Sequence, residues 1–97
     1  INGHTEPDEH GRHEPDIVAK DSRSVLHLAE AKVGDDIFSE TAKEQFIDFS
    51  SRIMTGSNIP VPFHIIVYKE DEPAVINRLN QLGLGSLIGN KITIWTL

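Results

Sequence analysis

The sequence predicts a small α/β domain, with a mixed β-sheet that opens on a hairpin and is flanked by helices. Three observations carry this reading. PDIVAK and VLHLAEAK, residues 15–20 and 25–32, are strand-like runs on either side of the polar turn Asp21–Ser24. Phe38, Ala42, Phe46, Phe49 and Ile53 recur at spacings of four and three, the period of one helix face. FHIIVY, 63–68, and KITIWT, 91–96, are two further strands with a second helical pattern between them, the order that produces crossovers.

Each element follows from its residues. Residues 1–14, INGHTEPDEHGRHE, are polar and broken by Gly3, Pro7 and Gly11, so they read as a loop with a short edge strand over Ile1–Thr5. His4, His10 and His13, with Glu6, Asp8 and Glu9, are metal-binding residue types. They show no fixed ligand spacing, so a solvated loop is the better reading. Asp35 and Asp36 stop the return strand of the hairpin. The first helix then starts with Ser39 as N-cap. Glu40 and Glu44 lie early in it, where negative charge meets the positive helix end, and Gly56 is the candidate C-cap. The run 63–68 is apolar throughout and follows Pro60 and Pro62. It predicts a strand buried on both faces, with helices above and below the sheet. Pro73 marks the start of the second helix, Val75, Ile76, Leu79 and Leu82 form its stripe, and Gly83 ends it. GLGSLIGN, 83–90, lacks the Lys-Ser/Thr ending of a phosphate-cradling loop and follows a helix, so it reads as a turn.

Composition narrows the class. The 97 residues suit one domain, 1–97, with a modest core. With 38% hydrophobic residues, the chain is rich enough in apolar side chains to fold. There is no cysteine, which excludes disulfides and thiolate zinc sites, fits a reducing compartment and makes the cytoplasm the expected location. No apolar run approaches the ~20 residues of a membrane helix, and no leader-like pattern opens the chain. The first residue is Ile1, so a processed product or a piece of a longer protein is expected. The net charge of −6 counts against broad electrostatic binding to nucleic acid and favours a divalent-cation site. A Gly-x-Ser-x-Gly elbow is absent, so serine-nucleophile chemistry has no support.

The hairpin carries the chemistry. Alternation along a strand puts Leu26, Leu28, Glu30 and Lys32 on one face, and Asp16, Val18 and Lys20 on one face of the strand before. A hairpin symmetric about residues 22 and 23 sets Asp16 across from Ala29, beside Glu30. A shift of one residue sets it directly opposite Glu30. Two carboxylates so close repel unless something compensates, and Mg²⁺ suits the task because it takes one or two carboxylates plus waters and phosphate oxygens. Lys32 would then orient or deprotonate a metal-bound water. The bland alternative is an exposed ion pair at a strand end, worth little.

Pro15-Asp16 followed by Glu30-Ala31-Lys32, with thirteen residues between the acids, resembles the signature of the PD-(D/E)XK nuclease superfamily. The resemblance implies a restriction endonuclease-like core: a leading helix, a three-stranded meander, a helix and a further strand. It implies hydrolysis of phosphodiester bonds in DNA, dependent on Mg²⁺ or Mn²⁺. Asp16, Glu30 and the backbone carbonyl of Ala31 would hold the metal, and Lys32 would be the catalytic lysine. Gln45-Phe46-Ile47-Asp48-Phe49 is similar to the Gln-x-x-x-Tyr element of the RecB-like branch, with Phe49 in place of the Tyr. Gln45 would point at the metal or substrate, or else sit on the wet face of the helix. No leading helix is legible before residue 15, so it lies outside this chain or a partner subunit replaces it. Arg12, Lys20, Arg23, Lys43 and Arg52 are the phosphate contacts on offer, and they are few.

Two other functions compete. One is a non-catalytic scaffold or assembly domain on the same core, acting through protein–protein contacts, with a homodimer surface expected where the leading helix would pack. The other is a metal site built from His4, His10 and His13. His27 and His64 are expected to be packed or hydrogen-bonded within the sheet, and Trp95 to lie in the core or an interface.

Overall fold

In the computed structural model, which describes residues 14–97, the hairpin forms from β1 (Ile17–Lys20) and β2 (Leu26–Ala31). A 3-10 segment, Gly34–Phe38, leads into α1 (Glu40–Ser50). β3 (Phe63–Val67), α2 (Glu72–Gln81) and β4 (Ile92–Thr96) follow. The result is a small α/β domain with one mixed sheet of four strands in the order β1-β2-β3-β4. β1 and β2 are antiparallel, and β2-β3 and β3-β4 are parallel. The edge strand expected over Ile1–Thr5 lies outside the described residues, and no helix precedes β1 among them.

α1 and α2 both cover one face of the sheet. Leu28, Phe63, Ile65, Val67 and Ile92 on that face form a single core with Ala42, Phe46, Phe49, Val75 and Leu79. Phe63 is the centre: Phe49 meets its ring edge-on at 5.4 Å and Phe46 lies at 6.2 Å. The other face carries His27, His64, Ile66, Thr93 and Trp95, and β3 alternates buried and half-buried residues. The expectation of helices above and below the sheet is therefore corrected. The crossovers β2-α1-β3 and β3-α2-β4 step the same way across the sheet, and crossovers of one hand then fall on one side.

Helix α1 stops at Ser50, short of Gly56. The Ser50 and Ser51 hydroxyls donate to the carbonyls of Ile47 and Asp48, competing with the backbone as serine does at helix ends. The chain then turns back, with an antiparallel bridge between Ile53 and Pro60 and Gly56 at φ 91° in the turn. Phe38 and Ile53, the ends of the expected stripe, are about half exposed, while Ile37 is fully buried in their place. Ser39 caps α1 as expected, its hydroxyl accepting from the Ala42 N–H at 3.0 Å. Gly83, at φ 79°, ends α2 in the left-handed conformation that glycine adopts without strain.

Candidate active site

The hairpin register places the acids. Ile17 pairs with Ala29 and Val18 with Leu28, so the next step outward sets Asp16 opposite Glu30. This is the shifted register, not the symmetric one. The turn explains the shift: Asp21 Oδ1 accepts from the Arg23 and Val25 N–H groups, and Ser24 takes φ 65°.

Two reciprocal hydrogen bonds then tie the carboxylates to the opposite backbone. The Asp16 N–H donates to Glu30 Oε1 at 3.1 Å, and the Ala31 N–H donates to Asp16 Oδ2 at 2.9 Å. In a strand the N–H and C=O of one residue point to the same side. The Ala31 carbonyl thus faces the Asp16 side of β2. The Lys32 N–H bonds the Ile66 carbonyl at 3.1 Å, which extends the alternation one residue past β2 and puts the Lys32 side chain on the helix-covered face. There its Nζ lies 3.3 Å from Glu30 Oε2 and donates to Gln45 Oε1 of α1. Gln45 reaches it from the flank of α1 beside the buried Phe46 and Phe49.

Asp16, Glu30, Lys32 and Gln45 therefore form one connected group, and Ala31 contributes its backbone to it. Its members differ in environment. Asp16 is exposed, whereas Glu30 is only 3% exposed. Burial, and then the Asp16 charge, push the Glu30 carboxyl above the usual range. The Asp16 N–H and Lys32 oppose this without cancelling it. A buried carboxylate beside a second carboxylate is a costly arrangement that a cation would relieve. Among the described residues, no group of three or more His, Cys, Asp or Glu side chains could hold a metal ion. The oxygens brought together at this end of the sheet are those of the Asp16 and Glu30 carboxylates and the Ala31 carbonyl, hard donors of the kind that Mg²⁺ and Mn²⁺ prefer.

Asp71, which the sequence does not single out, approaches the same end of β2. Its carboxylate accepts from the Gly34 N–H at 3.1 Å. No local pattern signals this contact, because it joins the start of α2 to the start of the 3-10 segment, 37 residues earlier.

The remaining candidates fall elsewhere. His4, His10, His13, Glu6, Asp8, Glu9 and Arg12 lie outside the described residues. Of the cations expected to meet phosphate, Arg23 pairs with Asp21 at 3.0 Å, Lys43 with Glu40 at 3.8 Å and Arg52 with Asp48 at 2.9 Å. Their charge is already partly answered within the chain. His27 and His64 hydrogen-bond within the sheet as expected, at 2.9 Å. Trp95 is 54% exposed and so lies outside the core. Among the described residues no helix is long and apolar enough to cross a membrane. Comparison with protein-family models, with curated proteins and with solved structures finds no match to this chain.

Proposed function

We propose that the chain carries the catalytic centre of a metal-dependent nuclease with a restriction endonuclease-like core, hydrolysing phosphodiester bonds in DNA. The observation that carries this reading is the convergence of Asp16, Glu30, Lys32 and Gln45 at one end of the sheet. Asp16, Glu30 and the Ala31 carbonyl would hold a Mg²⁺ or Mn²⁺ ion. When bound, that ion supplies a water of lowered pKa and stabilises charge on the phosphate. Glu30 serves two partners at once, orienting Lys32 with Oε2 and fixing the hairpin end with Oε1. Gln45 holds the Lys32 ammonium from the helix side, so the amine is aimed and not mobile. A desolvated, oriented lysine is suited to moving a proton to or from the attacking water.

The resemblance implies a three-stranded meander, whereas the described residues hold a two-stranded hairpin followed by a helix and a parallel strand. The proposal therefore rests on the site and on the strand-helix-strand unit after it.

The test is cleavage of labelled single- and double-stranded DNA with Mg²⁺ or Mn²⁺. The native chain is expected to cleave one of them and to stop on chelation. Asp16→Asn and Lys32→Gln should each lose at least ~100-fold, the scale of a positioned acid–base group. Equal cleavage by native chain and Lys32→Gln sinks the proposal.

A second reading, a non-catalytic assembly domain that forms a homodimer, is favoured by the sheet face that no helix covers among the described residues. Ile17 and Trp95 there are each more than half exposed. A stable dimer in sedimentation equilibrium, with no cleavage of any substrate, would favour it.

A further inference from the structure

Four side chains outside the candidate active site form a continuous line across the sheet face opposite α1 and α2. Asp21 stands in the turn after β1, His27 on β2, His64 on β3 and Trp95 on β4. The contacts are Asp21 Oδ2 to His27 Nε2 at 3.0 Å, His27 Nδ1 to His64 Nε2 at 2.9 Å, and Trp95 Nε1 to His64 Nδ1 at 2.9 Å. The two imidazole planes lie 18° apart with centroids 5.2 Å apart, as an edge-to-edge hydrogen bond between near-coplanar rings requires, and the indole lies 6.1 Å from His64.

The chemistry of the ends fixes every proton between them. An indole N–H can only donate, so His64 Nδ1 must be bare. A neutral His64 then carries its hydrogen on Nε2 and donates to a bare His27 Nδ1. His27 in turn carries its hydrogen on Nε2 and donates to the Asp21 carboxylate, which can only accept. With both rings neutral, three hydrogens serve three contacts, and all run from Trp95 towards Asp21.

One more proton leaves a donor facing a donor. One place for it is His27, the ring bonded to the Asp21 carboxylate. His27 then donates through both nitrogens, so His64 must accept at Nε2 and move its own hydrogen to Nδ1. That hydrogen meets the indole N–H, and the Trp95 contact is lost. Protonating His64 at Nδ1 breaks the same contact directly. Arg23, which also pairs with Asp21, is the one other charged side chain on this network among the described residues. Among the described strand residues, Ile17 and Ala19 of β1, Ala29 and Ala31 of β2, Ile66 of β3 and Thr93 of β4 make up the rest of the face and carry no titrating side chain.

We infer that this line is an acid-sensitive latch, which joins the hairpin turn to β2, β3 and β4 when both imidazoles are neutral and releases Trp95 on β4 when the pair takes up a proton. The inference is independent of the nuclease reading. Burial, with the charge of a protonated His27, holds His64 below its ordinary value of 6.5, which favours the neutral His64 ring that the Trp95 contact needs. Asp21 is held well below the carboxylate range, first by its bond to His27, so the accepting end stays charged throughout.

The test uses ¹⁵N-labelled full chain. Long-range ¹H–¹⁵N spectra at pH 7.5 are expected to show His64 and His27 both protonated on Nε2. Trp95 is the sole tryptophan, so its indole ¹⁵N–H resonance reports the latch alone. It is expected to shift, with a midpoint below pH 6.5, while far-UV circular dichroism stays constant. His64→Gln should abolish that midpoint. The latch is overturned if His64 carries its hydrogen on Nδ1 at pH 7.5. It is equally overturned if the indole resonance stays fixed between pH 8 and pH 5, or titrates identically in His64→Gln.

Discussion

Glu30 is the residue that pays most for its position. It is a carboxylate at 3% exposure, beside Asp16 and 3.3 Å from the Lys32 ammonium. Its folded pKa is raised, so the fold binds its proton more readily than the unfolded chain does. That contribution to stability is full below 4.5, the unfolded value, and is lost as pH rises through the folded value. The neutral isostere Glu30→Gln is therefore expected to raise the thermal midpoint at pH 7.5 and to leave it nearly unchanged at pH 4, measured by calorimetry. Lys32→Met acts in the opposite sense at neutral pH. It leaves a buried carboxylate without its cation, a loss of about 3 kcal/mol or more in denaturant titrations. Residues that cost the fold stability at neutral pH are the expected mark of a working site.

At the scale of elements, α1 ties the site to the core. Phe46 and Phe49 anchor it on Phe63, and that seating carries Gln45 to Lys32. Phe46→Ala is expected to cost about 3–5 kcal/mol in chemical denaturation, a large share of the ~5–15 kcal/mol a domain has. Ser39→Ala removes the cap and is expected to cost about 1 kcal/mol. Much of this element was legible. Phe46 and Phe49 sit at helical spacing, and Ser39 precedes Glu40 as a cap should. The ends were less legible for a physical reason. The serine hydroxyls that stop α1 at Ser50 compete locally with the backbone, and hydrophobic period does not encode that competition. Ile37 is buried from a 3-10 segment, whose tighter turn breaks the period that Phe38 appeared to continue. In the hairpin, residue types named Asp16, Glu30 and Lys32 as a set, but pairing depended on one residue of register set by Asp21 in the turn. The His27-His64-Trp95 line was illegible as a line, because it requires knowing that β2, β3 and β4 are neighbours in that order.

At the scale of the whole molecule, one face of the sheet is packed and the other is written in hydrogen bonds. Parallel strands are usually covered on both sides, and here β2, β3 and β4 are covered by α1 and α2 on one side. His64 adds a pH dependence opposite in sign to that of Glu30. Its folded pKa is depressed, so its contribution is full above 6.5 and is lost as pH falls below that value. The thermal midpoint of the native chain should drop on acidification below pH 6.5, and less steeply in His64→Gln. The net charge of −6 makes nonspecific attraction to DNA weak, so binding would depend on the metal more than on a basic surface. That places the central claim on a cation between Asp16 and Glu30. The direct measurement is Mg²⁺ titration calorimetry at pH 7.5, since Mg²⁺ prefers oxygen donors over the imidazoles of His4, His10 and His13. Binding is expected for the native chain and for Lys32→Gln, weakened at least ~10-fold, or about 1.4 kcal/mol, by Asp16→Asn and by Glu30→Gln. No binding by the native chain, or equal binding by all four proteins, would contradict that claim.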